Sequence, residues 1–236
     1  MTAATPPRIL VTRSEPGASE TAARLRASGF APVIEPLFVI EPVEASIPAF
    51  DALAFTSANG VRRFALLSPR RNTPVFCVGA RTAAVARELG FTGALSADGD
   101  VNALADLVIS KLPTGAKLLH AGNEESRGDL AGRVQAAGRN AEFLPVFRAV
   151  PVTAPGSALA RHFAGEASFA AVLVHSPRAG TILADLATAS PGARLPVAAI
   201  SRAAAAPLLA HTSMIEIAAT PDEPALISAL ARLVFG

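Results

Sequence analysis

Short apolar runs rich in β-branched residues recur along the chain, at 8–12, 33–37, 52–56, 74–78, 116–120, 142–147, 170–175, 196–200 and 214–218. Their length and near-continuous apolarity predict strands buried on both faces. Between them the apolar positions fall at i, i+3, i+4 spacing. "SETAARLRASG" (19–29), "RTAAVARELG" (81–90), "VNALADLVISKL" (101–112), "RGDLAGRVQAAG" (127–138) and "DEPALISALARLV" (222–234) therefore predict helices. Gly29 and Gly90 are natural stops just past a helix end, and Asp222 is a natural N-cap. Strand–helix alternation of this kind implies parallel sheets with helices on both faces.

The pattern also repeats. "ILVTRSEPGASETAARLRASGFAPVIEPLF" (9–38) parallels "LLHAGNEESRGDLAGRVQAAGRNAEFLPVF" (118–147), each reading strand, loop, helix, Gly, strand. "LAFTSANGVRRF" (53–64) followed by 75–90 parallels "VLVHSPRAGTIL" (172–183) followed by 197–210. The order a, b, a′, b′ implies two similar α/β units facing each other across a cleft, and leaves open which a pairs with which b. Pro-rich stretches at 41–48 and 150–156 read as connections between them.

At 236 residues the chain has room for two cores, and 51% apolar against 17% charged content excludes a disordered chain. No window approaches the roughly 18–20 apolar residues of a membrane span. The start, "MTAATPPRILVTR", lacks the basic-then-apolar pattern of an export signal, and the single Cys77 sits in an apolar run. A cytoplasmic location is expected. Lysine occurs only at 111 and 117, so nearly every cation is Arg, which pairs bidentately with carboxylate or phosphate. A compositional bias toward Arg and Ala would read the same way. Without a basic block, Tyr or Trp, a nucleic-acid surface is not expected.

In parallel α/β sheets, ligands bind beyond the carboxyl ends of the strands. The residues there are Thr12-Arg13-Ser14, Thr56-Ser57-Ala58-Asn59, Gly79-Ala80-Arg81-Thr82, Ala121-Gly122-Asn123, His175-Ser176-Pro177-Arg178 and Ser201-Arg202. Small, hydroxyl-bearing or Arg side chains at helix starts, where backbone N–H groups and the dipole attract anions, suit a polyanion cradle. Ser and Thr also cap helices with no ligand at all; recurrence at six loops is what favours a cradle. "GNEESRGDL" (122–130) adds Ser126 and Arg127, with Glu124 and Glu125 expected to face solvent. The four histidines show no metal spacing, and neither GxGxxG nor GxxxxGK[ST] occurs. His175 ends a strand, while Cys77 reads as a core residue.

The segments "VTRSEPGASETAARLRASGFAPVIEPLFVIEPV", "FTSANGVRRF", "VFCVGARTAAVARELGF", "LLHAGNEESRGDLAGRVQAAG", "LPVFRAVPV" and "TPDEPALISALARLV", in that order, resemble the uroporphyrinogen-III synthase family from residue 8 to the end. The resemblance implies an α/β fold of two doubly wound parallel-sheet (flavodoxin/Rossmann-like) lobes joined by a two-stranded antiparallel ladder. One lobe would comprise residues 1–38 and 150–236, the other 42–146, with ladder strands at 38–41 and 147–150. It further implies a hydro-lyase that cyclises hydroxymethylbilane to uroporphyrinogen III, inverting ring D through a spiro intermediate and losing water. No cofactor and no metal are implied, and the partner is a small-molecule tetrapyrrole handled by a monomer, away from membranes and nucleic acids.

The implied substrate carries acetate and propionate groups, so the substrate-binding set expected is Thr12, Arg13, Ser57, Asn59, Gly79, Arg81, Thr82, Gly122, Asn123, Ser126, Arg127, Ser176, Arg178, Ser201 and Arg202, with Thr82 also a catalytic candidate. The family's usual Tyr is replaced by Phe147, and the chain contains no Tyr at all. In the second VGxxTA-like motif Ser201 replaces Gly and Ala204 replaces Thr, and His175 stands where Thr is usual. These departures keep a second reading open: a two-lobed tetrapyrrole- or polyanion-binding module with weakened catalysis. A nucleotide-dependent transferase on a similar scaffold is disfavoured by the missing phosphate-loop glycines.

Overall fold

The computed structural model describes residues 5–15, 17–126, 128–190 and 195–236. In chain order the first elements are β1 (Arg8–Val11), α1 (Gly17–Ala27), β2 (Ala31–Ile34), β3 (Phe38–Pro42), β4 (Ala52–Phe55), α2 (Ala58–Leu67), β5 (Val75–Cys77) and α3 (Ala80–Glu88). Next come β6 (Ala94–Ser96), α4 (Val101–Lys111), β7 (Lys117–Asn123), α5 (Leu130–Ala136) and β8 (Asn140–Pro151). The last are α6 (Ser157–Phe163), β9 (Ala171–Val174), α7 (Pro177–Thr188), β10 (Val197–Ala199), α8 (Arg202–Ala205), β11 (Ile215–Ile217) and α9 (Glu223–Phe235). The chain forms two compact units, Met1–Val39 with Val150–Gly236, and Ile40–Ala149.

The first unit holds a sheet in the order β11-β10-β9-β1-β2, every pairing parallel. All four residues of β9 are buried, as a strand covered on both faces must be. One face packs on α6, α7, α8 and the 3-10 turn Ala206–Leu208 that follows it, through Leu159, Ile182, Leu183, Ala204 and Leu208; the other packs on α1 and α9 through Leu25, Leu226 and Leu230. The chain steps from β1 to β2 on one side, and β9 then adds on the other side of β1. In open α/β sheets ligands bind beyond the strand ends at such a reversal, which here falls between β1 and β9.

The second unit's sheet runs β3-β8-β7-β4-β5-β6, parallel from β8 to β6. Its reversal lies between β4 and β7. Phe55, Phe64 and Phe91 are fully buried and meet edge-on or tilted under α2 and α3, while Leu104, Val108, Leu130 and Val134 cover the opposite face. At the β3 edge, the Val43 amide donates to Val146 O and Glu41 pairs with Arg148 at 2.9 Å. Partner numbers that fall on one strand as they rise on the other make this pairing antiparallel.

Three boundaries differ from the pattern. The second strand lies at 31–34, not 33–37, because Pro36 cannot donate to a ladder and the Glu35 side chain turns to the start of α6. β8 runs twelve residues, because it pairs with β7 and then goes on as the partner of β3. β6 went unpredicted, since three residues with a half-exposed Leu95 leave no periodic trace.

The twin corners 53–64 and 172–183 share a packing reason for their glycine. A Cβ on Gly60 would lie 2.8 Å from Ala121 O, and one on Gly180 only 2.3 Å from Ala204 O. Both helices thus approach a neighbouring backbone too closely for a side chain. Gly60→Ala and Gly180→Ala are each expected to lower the unfolding free energy by about 1–3 kcal/mol in urea titrations. Gly93→Ala, where a Cβ meets nothing within 4 Å, is expected to stay within about 0.5 kcal/mol of the parent.

Candidate functional site

On the carboxyl edge of the second unit, Ser57 N-caps α2, its Oγ accepting the Gly60 amide at 3.2 Å. A capping hydroxyl spends a lone pair, so its O–H proton can still be donated to a ligand. Asn59 lies half-buried in the first turn of α2. Gly79 N-caps α3 with no side-chain cap, and open space surrounds its Cα. Exposed Arg81 and buried Thr82 follow in that first turn. Gly79 brings no side chain of its own to these N–H groups, and Arg81 stands at the positive end of the helix dipole, where anions are favoured.

The other unit shows what such an end does. α6 also starts on a glycine without a side-chain cap, and there Glu35 supplies the carboxylate, accepting the Ala158 amide at 2.7 Å and the Leu159 amide at 3.1 Å. Gly156 makes room for it: a Cβ there would sit 2.6 Å from the Glu35 carboxyl carbon.

Among the other expected residues of the second unit, Ser126 and Asn123 make structural hydrogen bonds. Ser126 Oγ donates to Asn123 O at 2.7 Å, and Asn123 Oδ1 accepts the Ala149 amide. Gly122 is crowded by Phe143, Ser126 and His120, and Arg127 lies outside the described residues. Phe147 is a core residue, 4% exposed, where an aromatic ring packs without needing a phenol. His120 is buried in the middle of β7, 3.3 Å from Thr56 Oγ1. Burial pushes its imidazole down to about 4, against the pull of Asp129, so it is neutral near pH 7. The open hollow of about 390 Å³ beside it is lined by Glu124 and Asp129, a poor host for anions.

On the first unit's edge, Ser176 and Ser201 cap α7 and α8 as Ser57 caps α2, accepting the Ala179 and Ala204 amides. The Arg178 guanidinium lies over the Phe38 ring at 4.9 Å, and Arg202 is exposed at the start of α8. Thr12 departs from expectation: it is fully buried and its hydroxyl donates to Leu173 O at 2.7 Å, clamping β1 to β9 rather than facing a ligand. Arg13 is ion-paired to Glu223 at 2.9 Å. The Thr21 hydroxyl also donates to Glu223, and His175 Nε2 lies 3.4 Å from the same carboxylate.

The sequence pattern missed Glu223. Its only local mark is its place after Asp222 at a helix start, and nothing in chain order ties it to Arg13, 210 positions away. Cys77, fully buried, has its thiol pushed up to about 12 by burial and is inert. Among the described residues no three His, Cys, Asp or Glu side chains gather as metal ligands, and no helix is long and apolar enough to cross a membrane.

Parallel sheets sandwiched by helices, with serine hydroxyls, guanidinium groups and the glycine-capped start of α3 along their carboxyl edges, define an α/β protein. The family model of uroporphyrinogen-III synthase HemD matches residues 19–228. The chain belongs to the uroporphyrinogen-III synthase family. Its fold is similar to a uroporphyrinogen-III synthetase from Helicobacter pylori 26695, with a TM-score of 0.62 and 15% identity, covering 96% of this chain and 99% of that one. It is also similar to a mutant uroporphyrinogen III synthase from the extremely thermophilic bacterium Thermus thermophilus, with a TM-score of 0.53 and 18% identity over 96% and 98% of the two chains. Among curated proteins no sequence matches significantly.

Burial pushes the Glu223 carboxyl up, but hydrogen bonds from His175 and Thr21 and the charges of His175 and Arg13 outweigh it and hold the group down at about 2. A depressed carboxyl stabilises the fold fully above its unfolded value, near 4.5, and loses that contribution as pH falls toward 2. Glu223→Gln should therefore lower the urea midpoint at neutral pH, with the gap to wild type closing between about pH 4.5 and 2.

Proposed function

We propose that this protein cyclises hydroxymethylbilane to uroporphyrinogen III, a hydro-lyase reaction of tetrapyrrole biosynthesis that inverts ring D and expels one water. The fold we infer for it is a pair of doubly wound, flavodoxin/Rossmann-like lobes, residues 1–38 with 150–236 and residues 42–146, linked by an antiparallel ladder. The observation that carries the reading is the start of α3 at Gly79–Thr82, where the N-cap is a glycine with room beside it, with α6 as the precedent for a glycine-capped helix end that holds a carboxylate, that of Glu35. A substrate that bears carboxylates on every ring has partners for many such donors.

The chemistry asks little of a strong acid. When hydroxide leaves the bilane, the positive charge spreads over the pyrroles, and departure is assisted by their own lone pairs. What the protein must supply is geometry: the chain end has to reach the substituted α-carbon of ring D before the unsubstituted one. Fixing the carboxylates fixes the fold of a flexible chain, and such orientation can contribute several kcal/mol to the barrier difference. Capping serines that donate O–H, Arg81 and the α3 amides act by binding and orienting. The absence of Tyr then removes an assisting donor but not the determinant of the isomer.

Purified protein given hydroxymethylbilane should yield the type III isomer, resolved chromatographically from the type I product that forms spontaneously; type I alone from folded protein would reject the reading. A second expectation concerns the open helix end. Gly79→Asp places a carboxylate where the substrate's is proposed to sit, so KM should rise about tenfold with kcat changed far less.

A further inference from the structure

The Arg13 cluster holds more than an ion pair. Arg13 is the member that reaches solvent, its side chain 24% exposed, whereas His175 and Glu223 are 9% and 10% exposed. Its guanidinium is pinned from two sides. Nη1 bonds Glu223 at 2.9 Å and contacts Thr21 Oγ1 at 3.4 Å, and the plane lies against Gly17, where a Cβ would stand 2.6 Å from Nε. Behind it, one buried carboxylate is shared between a cation that cannot lose its proton and an imidazole that can.

We propose that His175 and Glu223 are positioning residues for Arg13: Glu223 holds the guanidinium at the carboxyl end of β1 to receive a substrate carboxylate, and His175 sets the net charge behind it. With His175 protonated the three side chains carry a single net positive charge; with it neutral they carry none, and Glu223 cancels Arg13 outright. The carboxylate is therefore gripped more tightly on the acid side of the His175 ionisation.

This rests on the tetrapyrrole reading and names the group that answers to pH within it. Glu223 on α9 is 3.4 Å from the ring and shares its carboxylate with Arg13 after β1; the first turns of α1, α7 and α8 also carry Glu20, Arg178 and Arg202. Arg178 lies over the Phe38 ring and Arg202 is exposed, whereas Glu223 and Arg13 are directly linked to the histidine through one carboxylate.

The test is KM for hydroxymethylbilane between pH 5.5 and 8.5, a range in which the substrate's carboxylates stay ionised. Wild-type KM should rise about three- to tenfold across the range while kcat changes much less. His175→Gln keeps a polar side chain beside Glu223 but cannot titrate, and its KM should be flat and close to the wild-type value at high pH. Arg13→Gln removes the guanidinium, so it should raise KM at every pH; a KM equal to wild type would show that Arg13 does not bind substrate.

A wild-type KM independent of pH, or His175→Gln retaining the wild-type profile, overturns the proposal while leaving type III formation, and so the functional reading, intact. If the wild type forms no type III product, the dissociation constant of uroporphyrin, an oligocarboxylate probe, is followed over the same pH range. The same pattern across the variants supports the cluster, and its absence rejects it.

Discussion

Parallel pairing is the constraint from which the rest of this molecule follows. Parallel neighbours must be joined by crossovers, so each strand leaves its sheet at the same edge and the next helix starts there. The free N–H groups of those helices collect along one edge of each sheet, and they need acceptors. A chain that is half apolar thus acquires, in each unit, one polar margin whose chemistry is that of donors seeking anions.

How each helix start meets that need separates structure from function. α2, α7 and α8 are capped by Ser57, Ser176 and Ser201, and α4, α5 and α9 by Asp100, Asp129 and Asp222. α6 takes a carboxylate from Glu35, and α3 has no side-chain cap. Aspartate caps repel a polyanion, whereas serine caps accept an amide and retain a proton to give. Ser57, Ser176 and the open α3 all stand beside or near the β4/β7 and β1/β9 reversals, where such folds bind ligands. For a reaction decided by which carbon is reached first, this distribution of donors matters more than any single strong acid or base.

Arginine serves two purposes, and composition alone does not separate them. Arg71 donates to the carbonyls of Leu89, Ser68 and Ala65 and lies 4.6 Å from the Phe91 ring, closing helix C-termini in the second unit. Arg70 bonds Phe50 O and stacks on the Phe50 ring. Lysine could not span several carbonyls with one planar group. Arg13 and Arg81 differ because they follow the carboxyl ends of β1 and β5 and do not close helix C-termini.

The apolar periodicity by itself determined the alternation of strands and helices, the Gly29 and Gly90 stops, the Asp222 cap and the margin of Ser, Thr and Arg at strand ends. Those features are local, set by spacing within one turn or one strand. β6 and the true span of β2 were not legible, because three exposed-edge residues and a Pro-terminated strand are defined by their neighbours. Only tertiary structure decided that Thr12 faces Leu173, that Phe147 packs in a core, and that Glu223 meets Arg13 and His175. Each of those contacts joins residues far apart in the chain or depends on packing from several elements. Their energies are set by burial and by charge partners that only the folded sheet brings within a few ångströms.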